Sequence, residues 1–288
     1  EETHDGAFEA LHRILQDAGE WEDLRKLLNR RVELVDDADA KKALLFQVSS
    51  LNEDVLTDVE AAIVAYRQIL DLEPGNEQAF SALERLYEVA DQWADLEELL
   101  SQELGFTEDP TRIAELQFRR GQLQAEKLDN ADGAVDLFTE VLSQDEDHAG
   151  ATAALEGLLE NAELRQRVAA ILEPRYEARD HWQKLVGILE VQLEAAPDEH
   201  ATVELLARIA DLQGGSLMDP DAAFATWRRA LGVLPSDPRV REALTTLIET
   251  SGRWEEAAEV WKEGLEATDD GDTSLQDDFM MRLAQLYE

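Results

Sequence analysis

The side chains that most often carry out enzyme chemistry are sparse in this sequence. The histidines are His4, His12, His148, His181 and His200. None of them forms the paired-histidine pattern of a zinc protease helix or another close metal-ligand spacing, so we expect surface or turn positions. The chain has no cysteine, which excludes disulfides, thiolate metal sites and cysteine nucleophiles. It also lacks a glycine-rich phosphate loop and a serine nucleophile motif.

Two acidic stretches allow a metal-binding interpretation. The segment DEDH at 145–148 brings acids and a histidine together, but acids at the start of a helix also complement the helix dipole. The segment ATDDGDTSLQDD at 267–278 resembles a calcium loop that would begin at Asp270. Its sixth position is Leu275 instead of glycine, and its twelfth is Met281 instead of glutamate. We therefore predict no metal, no cofactor and no catalytic residue.

The charge balance restricts the classes of partner. The 288 residues include 65 acids and 26 bases, a net charge of −39. This surface would repel nucleic acid. It is either a solvated exterior, as in a salt-adapted proteome, or a surface that attracts a basic partner. No apolar run approaches the roughly 18 residues of a membrane span, so we predict a soluble protein, cytoplasmic or periplasmic, without direct membrane insertion.

A tryptophan motif recurs along the chain. The segments GEWEDLRKLL, DQWADLEELL, DHWQKLVGIL and GRWEEAAEVW place Trp21, Trp93, Trp182 and Trp254 at spacings of 72, 89 and 72 residues. A second aromatic column, at spacings of 72 and 89, consists of Tyr66, Phe138 and Trp227. These offsets predict a 72-residue unit whose third copy carries 17 extra residues between Leu159 and Trp182. We interpret both columns as packing positions, with a ligand-stacking surface as the alternative for the tryptophans.

Each unit has the pattern of two helix pairs. Apolar residues recur at helical spacing, and no segment alternates long enough for a strand. Three Asp-Pro pairs predict capped helix starts, at Asp109, Asp219 and Asp237. We predict an all-α chain of about sixteen helices. The units span 7–78, 79–150, 151–239 and an incomplete 240–288, with an inserted helix near 160–180 in which Pro174 should kink or end the helix.

The helix pairs resemble the tetratricopeptide repeat. AIVAYRQILDLEP at 62–74 matches its small, aromatic and proline positions through Ala62, Tyr66 and Pro74. In SGRWEEAAEVW, Trp254, Ala257 and Trp261 share one helix face, which predicts close packing on a neighbouring helix. The small position of the first helix is filled by Ser49, Gly121, Ala210 and Ala284. The resemblance implies a right-handed superhelical solenoid of stacked antiparallel helix hairpins. Departures such as Glu146 for the proline, and Leu24 and Leu96 for the alanine, make individual hairpins repeat-like instead of regular.

The resemblance also implies a binding surface on the concave face, formed by the first helix of each hairpin. Projected onto this chain, that face comprises Glu9, Arg13, Phe46, Ser81, Arg85, Phe118, Gln122 and Arg208. Phe46 and Phe118 could instead be buried. The lysines with which some relatives hold chaperone tails are missing, so we disfavour that role.

The predicted function is a non-catalytic scaffold that binds a protein or peptide partner. A basic partner would suit the acidic surface. One alternative is a structural part of a longer chain or a larger envelope or motility assembly. It is suggested by the uncovered stripe of Leu283, Ala284 and Tyr287. A less favoured alternative is an accessory domain of an enzyme.

Overall fold

Apolar residues three and four positions apart fold this chain into helices joined by short turns. The computed structural model describes the backbone of residues 2–269 and 271–286 and their side chains from Gly6 onward. The predictions that concern the His4 side chain, Asp270 and Tyr287 lie outside what is described. Within these residues there are sixteen α-helices and no strand.

The helices belong to two compact units, Glu1–Ala154 and Leu155–Glu288, and the boundary falls within α9. Those that begin in the first unit are α1 (Glu2–Ala18), α2 (Trp21–Leu34), α3 (Ala38–Ser50), α4 (Val59–Leu72), α5 (Glu77–Val89), α6 (Trp93–Leu104), α7 (Pro110–Glu126), α8 (Ala131–Gln144) and α9 (Ala149–Leu158). The others are α10 (Arg165–Ala178), α11 (Trp182–Leu193), α12 (Glu199–Asp211), α13 (Pro220–Val233), α14 (Pro238–Ser251), α15 (Trp254–Glu266) and α16 (Thr273–Leu286). Short π-helical turns, Leu51–Val55 and Leu212–Ser216, extend α3 and α12.

The predicted Asp-Pro caps are confirmed. Asp109 accepts a hydrogen bond from the Thr111 N–H at 3.0 Å. Asp219 and Asp237 accept from the N–H groups of Ala222 (2.9 Å) and Arg239 (2.8 Å). In each case proline occupies the first turn of the helix, where its missing N–H costs nothing.

The hairpin turns repeat one backbone feature. In seven helix pairs, the residue two positions before the second helix has a left-handed backbone with φ between 51° and 71°. These residues are Gly19, Thr57, Asp91, Asp129, Asp180, Met218 and Gly252. They pair α1 with α2, α3 with α4, α5 with α6, α7 with α8, α10 with α11, α12 with α13 and α14 with α15. Each unit is therefore an all-α helical repeat of tetratricopeptide-like hairpins, as predicted.

The additional segment of the third repeat contains a complete first helix, α10. Asp180 lies two residues before Trp182, as Asp91 lies two residues before Trp93, so α10 corresponds to α5 in the repeat. The helix continues through Pro174 to Ala178, so Pro174 does not end it, and the kink stays a prediction. Leu172 and Tyr176 on either side of the proline are buried, and this packing outweighs one lost backbone hydrogen bond. The division into four repeat units stays a prediction.

The small and aromatic columns fill the cores of the hairpins. Tyr66, Phe138 and Trp227 are all buried. Ser49, Gly121 and Ala210 are also buried, whereas Ala284 is exposed. A Cβ at Gly121 would lie 2.6 Å from Cε1 of Phe138, so the residue must be small for the helices to approach.

The tryptophan column lies at the edge of the core. Each of the four tryptophans is the first residue of its helix. Three are half-buried, but Trp254 is 53% exposed while Ala257 and Trp261 are buried. The predicted packing stripe on α15 therefore starts at Ala257. Because helical side chains lean toward the N-terminus, a tryptophan at the first position extends past the packed part of the helix.

Candidate partner-binding surface

Within each unit, arginines connect neighbouring hairpins through ion pairs. On the first helices, Arg119 Nη1 of α7 lies 2.8 Å from Glu84 Oε2 of α5, and Arg208 Nη1 of α12 lies 2.7 Å from Glu173 Oε1 of α10. Arg85 of α5 pairs with Glu53, which follows α3. Two of the predicted binding residues, Arg85 and Arg208, are therefore engaged by acids of their own chain.

The same pattern occurs on the second helices of the hairpins. Arg228 and Arg229 of α13 bind Glu263 of α15 and Glu190 of α11. The pKa of Glu263 lies below its ordinary value because Arg228 donates hydrogen bonds to it. Burial raises the pKa of Glu173, but hydrogen bonds from Gln192 and Arg208 outweigh burial and leave it lowered. These carboxylates stay ionised and bound within the chain at neutral pH.

The predicted binding residues are distributed over both units. Glu9 and Arg13 on α1, Ser81 and Arg85 on α5, and Arg208 on α12 are exposed, and Phe46, Phe118 and Gln122 are half-buried. The Phe46 ring contacts the Tyr66 ring edge-on, with 6.2 Å between centroids. In the first unit, Ser81, Phe118 and Gln122 line three different clefts. Arg208 belongs to the second unit.

The cleft lined by Ser81, here called the acidic cleft, has a volume of about 510 Å³. It is lined by Gly75, Glu77, Phe80, Ser81, Glu103, Phe106, Thr107, Asp109 and Arg112. Arg112 is shared between Glu103 Oε1 (2.7 Å), Glu115 Oε2 (3.0 Å) and Glu84 Oε1 (3.6 Å). One guanidinium thus faces several carboxylates, and the cleft keeps an excess of negative charge.

The cleft lined by Phe118, here called the apolar cleft, has a volume of about 550 Å³. It is lined by Pro110, Thr111, Ala114, Glu115, Phe118, Gln144, Asp145 and His148. The Phe118 ring lies 4.8 Å from the His148 ring, centroid to centroid. His148 Nδ1 accepts the Ala151 N–H at 3.0 Å, so this histidine of the DEDH segment caps α9.

Two residues of the acidic cleft were missed by projecting the first helices alone. Glu103 lies at the end of α6, and Phe106 lies in the loop that leads to α7. Phe106 is 56% exposed. An aromatic residue three positions before an Asp-Pro helix start was the available sequence signal, because a short polar loop has no core in which to bury the ring.

Each unit has a buried tyrosine beside an ion pair, and the positions of the acid and the base are exchanged between the two units. In the first unit, Tyr87 accepts a hydrogen bond from Arg67 of α4, and Arg67 Nη2 lies 2.6 Å from Asp95 of α6. In the second unit the matching residues, 89 positions later, are Tyr176, Glu156 and Lys184.

Tyr176 donates to Glu156 Oε1 at 2.5 Å, and Lys184 Nζ lies 2.5 Å from the same oxygen. Burial raises the pKa of both tyrosines.

The described residues offer no sign of a metal site or a membrane span. They contain no group of three or more histidine, aspartate or glutamate side chains placed to hold a metal ion. None of their helices is long and apolar enough to cross a membrane.

Comparison with known proteins finds similar folds only among solved structures. No protein-family model matches the sequence, and no curated protein does. A tetratricopeptide repeat protein from Parabacteroides merdae is 16% identical over 98% of both chains, with a TM-score of 0.34. The TPR2AB domain of yeast Sti1, solved as a complex with pHSP90, is 15% identical over 87% of this chain and 98% of its own, with a TM-score of 0.37.

A third protein, YrrB, is described as having an unusual peptide-binding site. It is 13% identical over 75% of this chain and 96% of its own, with a TM-score of 0.29. All three TM-scores are below 0.5, so no functional conclusion rests on these likenesses.

Proposed function

We propose that this chain is a non-catalytic scaffold that binds a protein or peptide partner, and that this partner is basic. The observation that carries the proposal is the charge balance, 65 acids against 26 bases. Arginines of the first helices, such as Arg119 and Arg208, are already bound to acids of the neighbouring hairpin. The remaining carboxylates create a negative potential that attracts a basic partner and accelerates its association.

The first helices of the first unit supply the contact surface in this proposal. Glu9 on α1 and Ser81 on α5 are exposed, and Phe118 of α7 lines the apolar cleft. Clefts of this size between helices accept side chains of an extended segment. Charge would bring the partner to the surface, and the clefts would select among basic segments.

Binding of synthetic peptides at several salt concentrations tests the proposal. Three peptides of equal length, one rich in arginine, one neutral and one rich in glutamate, are titrated against the immobilised protein. We expect the arginine-rich peptide to bind most tightly. Its affinity should fall at least fivefold between about 20 mM and about 500 mM sodium chloride, where the Debye length falls to a few ångströms.

Equal affinity for the three peptides would overturn the proposal, because the acidity would then serve only to solvate the exterior. Binding of the arginine-rich peptide that is insensitive to salt would also contradict it. The protein would then recognise its partner through apolar contacts alone.

A further inference from the structure

The acidic cleft and the apolar cleft lie on opposite sides of one helix. The start of α7 contributes Asp109 and Arg112 to the acidic cleft. The same turns contribute Pro110, Ala114 and Phe118 to the apolar cleft. At 3.6 residues per turn, these two sets point to opposite flanks of α7. A segment that crosses the start of α7 would therefore reach both clefts.

The acidic cleft has the chemistry that suits an arginine side chain. Arg112 is shared among several carboxylates, and Oε2 of Glu103 is buried without a hydrogen-bond partner among the described residues. Glu77 and Asp109 add negative charge at the exposed rim. Phe106 offers an exposed aromatic ring in the same cleft. A guanidinium can pair with carboxylates and stack on a ring at the same time, which an ammonium does less well.

The apolar cleft suits an aliphatic side chain. Pro110, Ala114 and Phe118 provide carbon surface, and Ala114 leaves room beside the half-buried ring of Phe118. Thr111 and Gln144 are neutral, and the acids Glu115 and Asp145 are exposed. Burying an apolar side chain here would remove its surface and part of the Phe118 ring from water.

Resting on the proposed function, we propose that the partner is an extended segment with an arginine and an aliphatic residue three positions apart. The arginine occupies the acidic cleft and the aliphatic side chain occupies the apolar cleft. An α-helix is about 10 Å across with its side chains. An extended chain in the polyproline II conformation has three residues per turn and advances about 3.1 Å per residue. Side chains three positions apart therefore share one face and span the start of α7.

Fluorescence anisotropy with labelled peptides of identical composition tests this spacing. The probes are GSGRSGLGSG and GSGLSGRGSG, in which arginine and leucine are exchanged. In both probes the two residues are three positions apart. The controls are GSGSRLGSGG, with adjacent residues, and GRSGSGSGLG, with a separation of seven. We expect one probe order to bind about fivefold more tightly than either control, as a contact worth roughly 1 kcal/mol would give.

Variants of the protein locate the contact. Phe106→Ala should weaken the better probe about fivefold, whereas Val64→Ala on α4, which is 56% exposed like Phe106, should leave its affinity unchanged. Ala114→Leu should fill the apolar cleft and abolish the preference for the leucine probe over a leucine-to-serine version. Glu77→Gln should weaken binding of both the leucine probe and its leucine-to-serine version. Glu60→Gln, also in the first turn of its helix, is the matched control and should not. Circular dichroism checks that each variant is folded.

The outcomes separate this inference from the proposed function. Equal binding of all four peptides, unaffected by Phe106→Ala and still sensitive to salt, would overturn the spacing rule and leave a charge-driven scaffold. If arginine peptides bind no better than neutral ones, the proposed function itself falls, and this inference falls with it.

Discussion

Single residues show where backbone geometry and amino-acid type disagree. Met218 holds the left-handed position of the α12–α13 turn with φ 54°, a place that glycine holds in two other turns. Its side chain is 84% exposed, so it contributes little packing. A left-handed backbone costs a residue with a Cβ about 1–2 kcal/mol, whereas glycine adopts it freely.

We therefore predict that Met218→Gly stabilises the protein by about 0.5–1 kcal/mol, after the larger entropy loss of glycine on folding is subtracted. The midpoint of urea unfolding measures this change, with an unchanged denaturant slope. Met218→Ala is the control, because it removes the exposed side chain but keeps the Cβ. A gain from alanine as large as that from glycine would show that the side chain, and not the backbone, is the cause.

At this scale the sequence predicts local chemistry well and exposure poorly. The Asp-Pro caps follow from two adjacent residues, and all three are present. The exposure of Trp254 could not be foreseen from its spacing to Trp261, since the helix begins at Trp254 itself. Whether the neighbouring hairpin covers the first residue of a helix depends on tertiary packing that spacing alone does not encode.

The close approach of helices depends on particular glycines. A Cβ at Gly264 of α15 would lie 2.7 Å from Cε1 of the buried Phe279 ring of α16. We predict that Gly264→Ala destabilises the protein by about 1–2 kcal/mol, because overpacking outweighs the gain in helix propensity. Gly187→Ala on α11, in the same unit and with open space around it, should instead stabilise by up to about 1 kcal/mol. Thermal unfolding of both variants measures the contrast, and a stabilised Gly264→Ala would contradict it.

The ion pairs between hairpins have a defined pH dependence. The pKa of Glu263 is lowered by hydrogen bonds from Arg228, so the folded state binds its proton less tightly than the unfolded state does. The stabilisation is complete above the ordinary glutamate pKa and is lost as the pH falls through the lower, folded value.

Glu263→Gln should thus cost about 0.5 kcal/mol near neutral pH, as a largely exposed pair does, and nothing once the carboxylate is protonated. Urea unfolding at several pH values measures this loss. Glu259→Gln, at 4.0 Å from the same guanidinium, is the control and should have a smaller effect. A loss from Glu263→Gln that persists in acid would mean that the side chain acts through packing.

The helices could be predicted from the sequence where two columns of residues repeat with the same spacings. The aromatic and tryptophan columns locate the paired helices, and the matched turns bear this out. The partnership of α10 with α11 was harder to foresee, because Pro174 suggests a break that tertiary packing overrides. The acidic cleft was found only in part, since a projection of first helices includes Ser81 but omits Glu103 at the end of α6 and Phe106 in the loop that follows.

At the scale of the whole molecule, the excess of carboxylates opposes folding. A net charge of −39 makes the folded state repel itself over distances that low salt does not screen. The internal ion pairs are in contact, at distances such as 2.7 Å for Arg208–Glu173, and salt screens them less.

We predict that raising sodium chloride from about 10 mM to about 300 mM increases the thermal midpoint by about 3 °C or more. Differential scanning calorimetry at constant pH measures this shift. An equal concentration of a neutral osmolyte serves as a control for general solvent effects. A midpoint that falls with salt would mean that the contacts between hairpins outweigh the repulsion.

The opposite order of charges around Tyr87 and Tyr176 bears on how such a chain avoids folding incorrectly. Proteins built from similar modules risk docking a module against the wrong neighbour during folding. If α4 docked on α10 and α11, Arg67 would meet Lys184. If α9 docked on α5 and α6, Glu156 would meet Asp95. Each exchanged partnership brings like charges together, and only the native order attracts.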